Sequence, residues 1–197
     1  MVHSEFTAMT AIHAVMPTFV PEPLAWGTYE TLPDVHFLLC AFRNMKAVLP
    51  DVETFPSMVA QLHRSGTSPN GKFGFALPTY HGNVAIQHGW SDTWEEYFAR
   101  TTRALLEQEQ RTRGADDEIQ RLTGPFFGKV VPRLLRPMET GGRTLRPSLI
   151  HGDLWHGNAS MDADTDTPLI FDAASFYAHN ECQSPPESLS SSVTGLI

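Results

Sequence analysis

The sequence predicts an α+β fold, arranged as one domain or as two small lobes sharing a cleft. Helical periodicity dominates the middle of the chain, while short apolar runs bounded by turn formers occupy its opening and closing parts. The 197 residues are enough to bury one ordinary hydrophobic core.

From Ser4 to about Val15, Phe6, Met9, Ile12 and His13 fall on one face at helical spacing, and Ser4 stands where a cap would start the helix. Pro17, Pro21 and Pro23 stop it. Leu24 to Tyr29 and Val35 to Arg43 read as strands joined through Leu32-Pro33-Asp34, which predicts an antiparallel hairpin. Thr54 to Arg64 carries Phe55, Met58, Val59 and Leu62 at helical spacing, and a long loop follows from Gly66 to Gly74.

Ser91-Asp92 is placed to cap a helix holding Trp94, Tyr97, Phe98, Leu105 and Leu106. Asp116-Asp117 precedes another with Ile119, Leu122, Phe126, Val130, Leu134 and Leu135, which Pro125 should kink or restart. Ser148-Leu149-Ile150 and Pro168 to Phe171 read as short strands around a hairpin whose turn is Asp162 to Thr167. From Cys182 to the end the chain is rich in Ser and Pro with little apolar content, and a disordered tail is expected.

The balance of 14 basic against 22 acidic residues gives a net charge of −8, and no dense Lys/Arg run offers a footprint for nucleic acid or anionic lipid. The first residues lack a basic and then apolar leader, and no run of about 18 apolar residues occurs. A soluble cytoplasmic protein is expected. Cys40 lies in an apolar run and Cys182 in a polar one, so Cys40 reads as a small core residue in a reducing compartment.

The chemistry concentrates between His151 and Asp172. His151-Gly152-Asp153-Leu154-Trp155-His156-Gly157-Asn158 sets a carboxylate and an amide five residues apart after a strand, and a second strand delivers Asp172. Phosphoryl transfer needs a carboxylate near the acceptor hydroxyl and oxygen ligands for the Mg2+ that bridges nucleotide phosphates. Asp153 is therefore read as the base, with Asn158 and Asp172 as metal ligands. A zinc site built on His151, His156 and Asp153 fits less well, because zinc prefers a closed tetrahedral set. His63, His81, His88 and His179 read as surface or packed histidines, and Trp90 and Trp94 as core anchors.

The segment His151 to Asn158 resembles the HGDLWxGN loop of the fructosamine/ribulosamine 3-kinases, and Phe171 to His179 resembles their FDPAxFYGH segment. Ser68 to Phe75 is similar to their SPxGKFGF stretch, and Trp90 to Phe98 to their tryptophan-rich helix start. The resemblance extends over about residues 4 to 181. It implies a protein-kinase-like (aminoglycoside-phosphotransferase-like) two-lobed fold, here incomplete. Residues 1–45 would be a remnant of the small ATP-binding lobe, 46–181 the helical large lobe with the catalytic loop, and 182–197 a tail.

The resemblance further implies ATP and Mg2+ as cofactors and glycated protein lysines or small ketosamines as substrates, phosphorylated on the sugar 3-hydroxyl. Glu5 corresponds to the helix glutamate that pairs with a nucleotide-binding lysine, and Ala41, Phe42 and Arg43 to the adenine-contacting hinge. That lysine precedes the glutamate helix in the family, whereas this chain has Lys46, Lys72 and Lys129 alone. A chain truncated at both ends is the expectation. The rival readings are a small-molecule kinase of the aminoglycoside or choline type, and an inactive remnant acting as a binding module.

Overall fold

A computed structural model describes residues 1–183. Helix α1 (Val2–Val15) leads into a buried turn at Phe19 and Val20, then into an antiparallel hairpin of β1 (Pro23–Tyr29) and β2 (Leu32–Cys40). Strand β3 (Met45–Lys46) and helix α2 (Thr54–Ser65) follow. Four three-residue strands come next: β4 (Phe73–Phe75), β5 (Thr79–His81), β6 (Val84–Ile86) and β7 (Gly89–Ser91).

Helices α3 (Trp94–Arg113) and α4 (Asp117–Pro125) lead through a π-helical turn at Phe126–Val130 into α5 (Val131–Leu135). The chain closes with β8 (Ser148–Ile150), β9 (Ala159–Asp162), β10 (Pro168–Ile170) and β11 (Phe176–Ala178). The strands form two hairpin sheets, β1-β2 and β5-β6, a three-stranded sheet β10-β9-β3, and a four-stranded sheet β7-β4-β11-β8. No described helix is long and apolar enough to cross a membrane.

Two cores lie on either side of β8. Ala8, Met9 and Ile12 of α1 pack with Phe19, Val20, Phe55, Leu62, Leu149 and Ile170 in the first. Phe73, Phe75, Trp94, Tyr97, Ile150 and Phe176 make the second. Successive strand side chains point to opposite faces, so Leu149 enters one core and its neighbour Ile150 the other.

Several sequence expectations need correction. Helix α1 begins at Val2, and Ser4 is buried inside it rather than capping it. Leu32-Pro33-Asp34 lies within β2, because the turn tightens to Glu30-Thr31. The cap of α3 is Thr93, whose hydroxyl accepts from the Glu96 N–H at 3.2 Å. The Asp162–Thr167 turn joins β9 to β10, whereas Ser148–Ile150 pairs with β11 in the other sheet. Leu122, Val130 and Leu134 are exposed, and the helical stripe buries Phe127 and Val131 instead. Cys40 is half-buried, and Cys40 and Cys182 are free thiols. Cys182 belongs to a 3-10 turn at Asn180–Cys182, and residues 184–197 of the expected tail lie outside the described residues.

Other expectations agree closely with the structure. Helix α2 ends one residue beyond Arg64, and Asp116 caps α4 by accepting from the Ile119 N–H at 2.9 Å. Pro125 is the last residue of α4, immediately before the π-helical turn.

The second core holds a polar element. His88 is buried and shares hydrogen bonds with the Thr79 hydroxyl (2.6 Å) and the Tyr97 hydroxyl (2.5 Å). Desolvation, aided by the charges of His81 and Arg100, lowers its pKa from 6.5 to about 3. A histidine depressed in the fold contributes stability that is complete above about 6.5 and erodes as pH falls toward the folded value. Between pH 7 and pH 5 this ring alone should cost the protein about 2 kcal/mol of unfolding free energy. Chemical denaturation at the two pH values checks this, and His88→Gln should remove that share of the slope.

Gly74 adopts φ +133°, and a Cβ there would lie 1.7 Å from the Gly89 carbonyl oxygen across the β4-β7 pair. Gly74→Ala should therefore destabilise the protein by about 2 kcal/mol or more, since both partners are backbone and neither can rotate away. Thermal melts of the variant would read the loss.

Candidate active site

After Ile150 the chain turns sharply through Gly152, whose φ of +84° suits glycine, and where a Cβ would lie 2.2 Å from the Ala174 carbonyl oxygen. His151 is fully buried. Its Nε2–H donates to the Phe171 carbonyl at 2.9 Å, and its Nδ1 accepts from the Asp153 backbone N–H at 3.3 Å. That division of roles belongs to a neutral imidazole. Burial lowers its pKa to about 4, although the bond to Phe171 works in the opposite direction. With both ring nitrogens engaged by backbone, His151 holds the loop together and offers no nitrogen to a metal.

The His151 backbone is equally committed. Its N–H donates to the Gln183 side-chain oxygen at 2.7 Å, and its carbonyl accepts from the Ala174 N–H at 3.0 Å. Asn158 is buried in a 3-10 turn at His156–Asn158. Its amide nitrogen donates to the Asp153 carbonyl (2.9 Å) and to Asp153 Oδ2 (3.2 Å), which orients the carboxylate and leaves the amide oxygen available. Asp172 follows β10 in the left-handed region at φ +57°.

Glu5 of α1, Asp153 and Asp172 line one cavity of about 230 Å3. Burial raises the Asp172 pKa, and the Asp153 charge raises it further. Glu5 is raised by burial and then by Asp172, with the chain amino group working against the shift. No Lys or Arg is among the described residues that line this cavity. The site therefore concentrates negative charge, with the amino group of Met1 as the cationic group on its described lining. No three described His, Cys, Asp or Glu side chains form a group that could hold a metal ion. Two carboxylates and an amide oxygen still suit a hard cation that completes its shell with water or phosphate oxygens.

Ala41, Phe42 and Arg43 do not line this cavity. The Ala41 N–H donates to the Glu22 carbonyl at 2.8 Å, Phe42 is 90% exposed, and Arg43 pairs with Asp162 at 2.7 Å. An open pocket of about 380 Å3 begins two residues later, between Met45 to Leu49 and the segment of His156, Ser160 and Phe171. Sequence reasoning missed the β5-β6 hairpin, whose Thr79, Tyr80, Gly82 and Asn83 line the acidic cavity. The signal was present in the Gly82-Asn83 pair between two short strand-forming runs. His81 is a surface residue, as expected, and its Nε2 contacts the Gly152 carbonyl at 2.8 Å.

The fructosamine kinase family model matches residues 1–185. The chain is 34% identical over 201 residues to a ketosamine-3-kinase of Mus musculus, covering 92% of this chain and 62% of the mouse protein. It is 26% identical over 183 residues to a chloroplastic protein-ribulosamine 3-kinase of Oryza sativa subsp. indica, covering 93% and 51%. A solved structure from Thermobifida fusca, provisionally named a fructosamine-3-kinase, matches with a TM-score of 0.68 at 23% identity, over 91% of this chain and 56% of that one. The chain thus spans about half to three fifths of the length of these relatives, and the structural likeness shows the protein-kinase-like fold. With the match extending over all of the described residues, the chain belongs to the fructosamine kinase family.

Proposed function

We propose that this chain carries the catalytic centre of an ATP-dependent kinase that phosphorylates the sugar 3-hydroxyl of ribulosamine or fructosamine, including the adducts on protein lysines. The convergence of Asp153 and Asp172 on one cavity, with buried Asn158 bonded to the Asp153 carboxylate, is the observation that carries this reading. The names of the mouse and rice relatives supply the substrate class. Repair of glycated protein would be the biological consequence.

In this reading an Asp153 oxygen takes the proton of the sugar 3-hydroxyl as the hydroxyl oxygen bonds to the γ-phosphorus. The bond from γ-phosphorus to the bridging oxygen breaks, and ADP departs with the electron pair. Asn158 steadies Asp153 through its amide nitrogen and would hold magnesium through its amide oxygen, together with the Asp172 carboxylate. Magnesium, when bound, neutralises charge on the nucleotide phosphates. Glu5 of α1 lines the same cavity and is read as the helix glutamate that pairs with a nucleotide-binding lysine. The backbone of Phe42 and Arg43 offers polar groups to adenine, since the Ala41 N–H is committed to Glu22. Residues 1–45 are read as a remnant of the small ATP-binding lobe and 46–181 as the large lobe with the catalytic loop.

The discriminating assay offers ribated and fructated lysine, an aminoglycoside and choline to the full-length polypeptide with magnesium-ATP. Turnover of the ketosamines is expected, and turnover confined to the other compounds would overturn the reading. Asp153→Asn should lower kcat by about 100-fold to 10,000-fold, because an amide cannot take the proton. A wild-type rate in that variant would remove Asp153 from its role. Asp172→Ala should raise the magnesium concentration needed for half-maximal nucleotide binding by about tenfold or more. Calorimetric titration reads that change, and an unaltered magnesium dependence would make Asp172 structural.

A further inference from the structure

We propose that His81 is a positioning residue that clamps the peptide joining Gly152 to Asp153, and so aims the Asp153 carboxylate. The inference rests on the kinase reading of Asp153 and adds a residue from outside the loop to that site. A peptide unit is planar, so the Gly152 carbonyl and the Asp153 N–H turn together as one rigid plate. The N–H end of this plate is held by the 3.3 Å bond to His151 Nδ1, which is long for an N–H donor. The carbonyl end is held by the 2.8 Å bond from His81, seventy-one residues away in sequence. Gly152 itself restrains the plate weakly, having no side chain and lying in the left-handed region. The shorter of the two bonds therefore comes from β5, from an exposed ring that supplements the buried one.

A carbonyl oxygen accepts only, so Nε2 of His81 carries the hydrogen in this contact, and a neutral or a charged ring makes the same bond. The strand that delivers His81 is itself anchored. Two residues earlier, the Thr79 hydroxyl is bonded at 2.6 Å to buried His88, which is bonded in turn to Tyr97 of α3. Beyond His81 the hairpin turn places Gly82 and Asn83 on the cavity wall beside Asp153. The clamp thus ties one wall of the cavity to the loop that carries its base.

His81→Phe keeps the ring volume and removes the donor, while His81→Gln keeps an N–H within reach. In the full-length polypeptide, with ribated lysine and magnesium-ATP, His81→Phe should lower kcat by about 10-fold to 100-fold. The KM for magnesium-ATP should stay within about twofold, and His81→Gln should restore most of the rate. A wild-type kcat in the Phe variant, or equal loss in both variants, overturns the clamp. Hydrogen exchange of the amides of residues 151–158 gives a readout that needs no activity. Faster exchange there in His81→Phe but not in His81→Gln supports the clamp, and identical exchange in all three proteins overturns it. A wild-type protein that phosphorylates no ketosamine defeats the kinase reading, and the exchange comparison still decides the clamp. His81→Ala provides the same comparison if the bulkier ring disturbs folding.

Discussion

The imidazole of His151 is the constraint on which the rest of the site depends. One buried ring accepts from the peptide of Asp153 and donates to the carbonyl of Phe171, so it fixes the segments that present Asp153 and Asp172. A neutral imidazole has one donor and one acceptor, which is the pairing these two backbone groups require. A protonated ring would turn a second donor toward the Asp153 N–H. Burial opposes that state, and the same burial makes any loss of the ring expensive, because two backbone polar groups would lose a partner inside the protein.

The placement of residues that share a continuous stretch of chain was legible in the sequence. The spacing of Asp153 and Asn158 survives into the structure as a direct hydrogen bond, and Phe171 precedes Asp172 where a strand end was expected. Asp116 announced its helix because capping is local. The three-residue strands were less legible. A strand of that length has no room for period-two alternation, and its partner is chosen by distant residues, as when Ser148–Ile150 joins β11 instead of the nearer β10. The helical stripe also shifted. A π-helical turn takes in an extra residue, and the buried positions fall at Phe127 and Val131, each one beyond the expected Phe126 and Val130.

The Asp162 to Thr167 segment read as a turn, and its side chains have a second use. Asp162, Asp164 and Asp166 meet Arg43, Asn44 and Lys46 in order along the chain. The outer contacts are solvent-exposed and contribute little each. The inner pair is different: Asp162 is nearly fully buried and also accepts from the N–H groups of Asp164 and Thr165. Burial alone would raise its pKa, but Arg43 and these donors outweigh it and hold the carboxyl near 2. The segment following the β1-β2 hairpin is thereby fastened to the β9-β10 hairpin.

The opposed orientation of Leu149 and Ile150 has a consequence for how the molecule is assembled. Because adjacent side chains of β8 feed different cores, sliding this strand by one position would present each interior with the wrong residue. The same slip would carry His151 and the turn at Gly152 out of phase with the backbone they engage. The strand therefore acts as a vernier between the two halves of the interior. Loop and cavity come into alignment only when both halves have accepted the same register, so an ordered catalytic loop is also a certificate that the fold is correct.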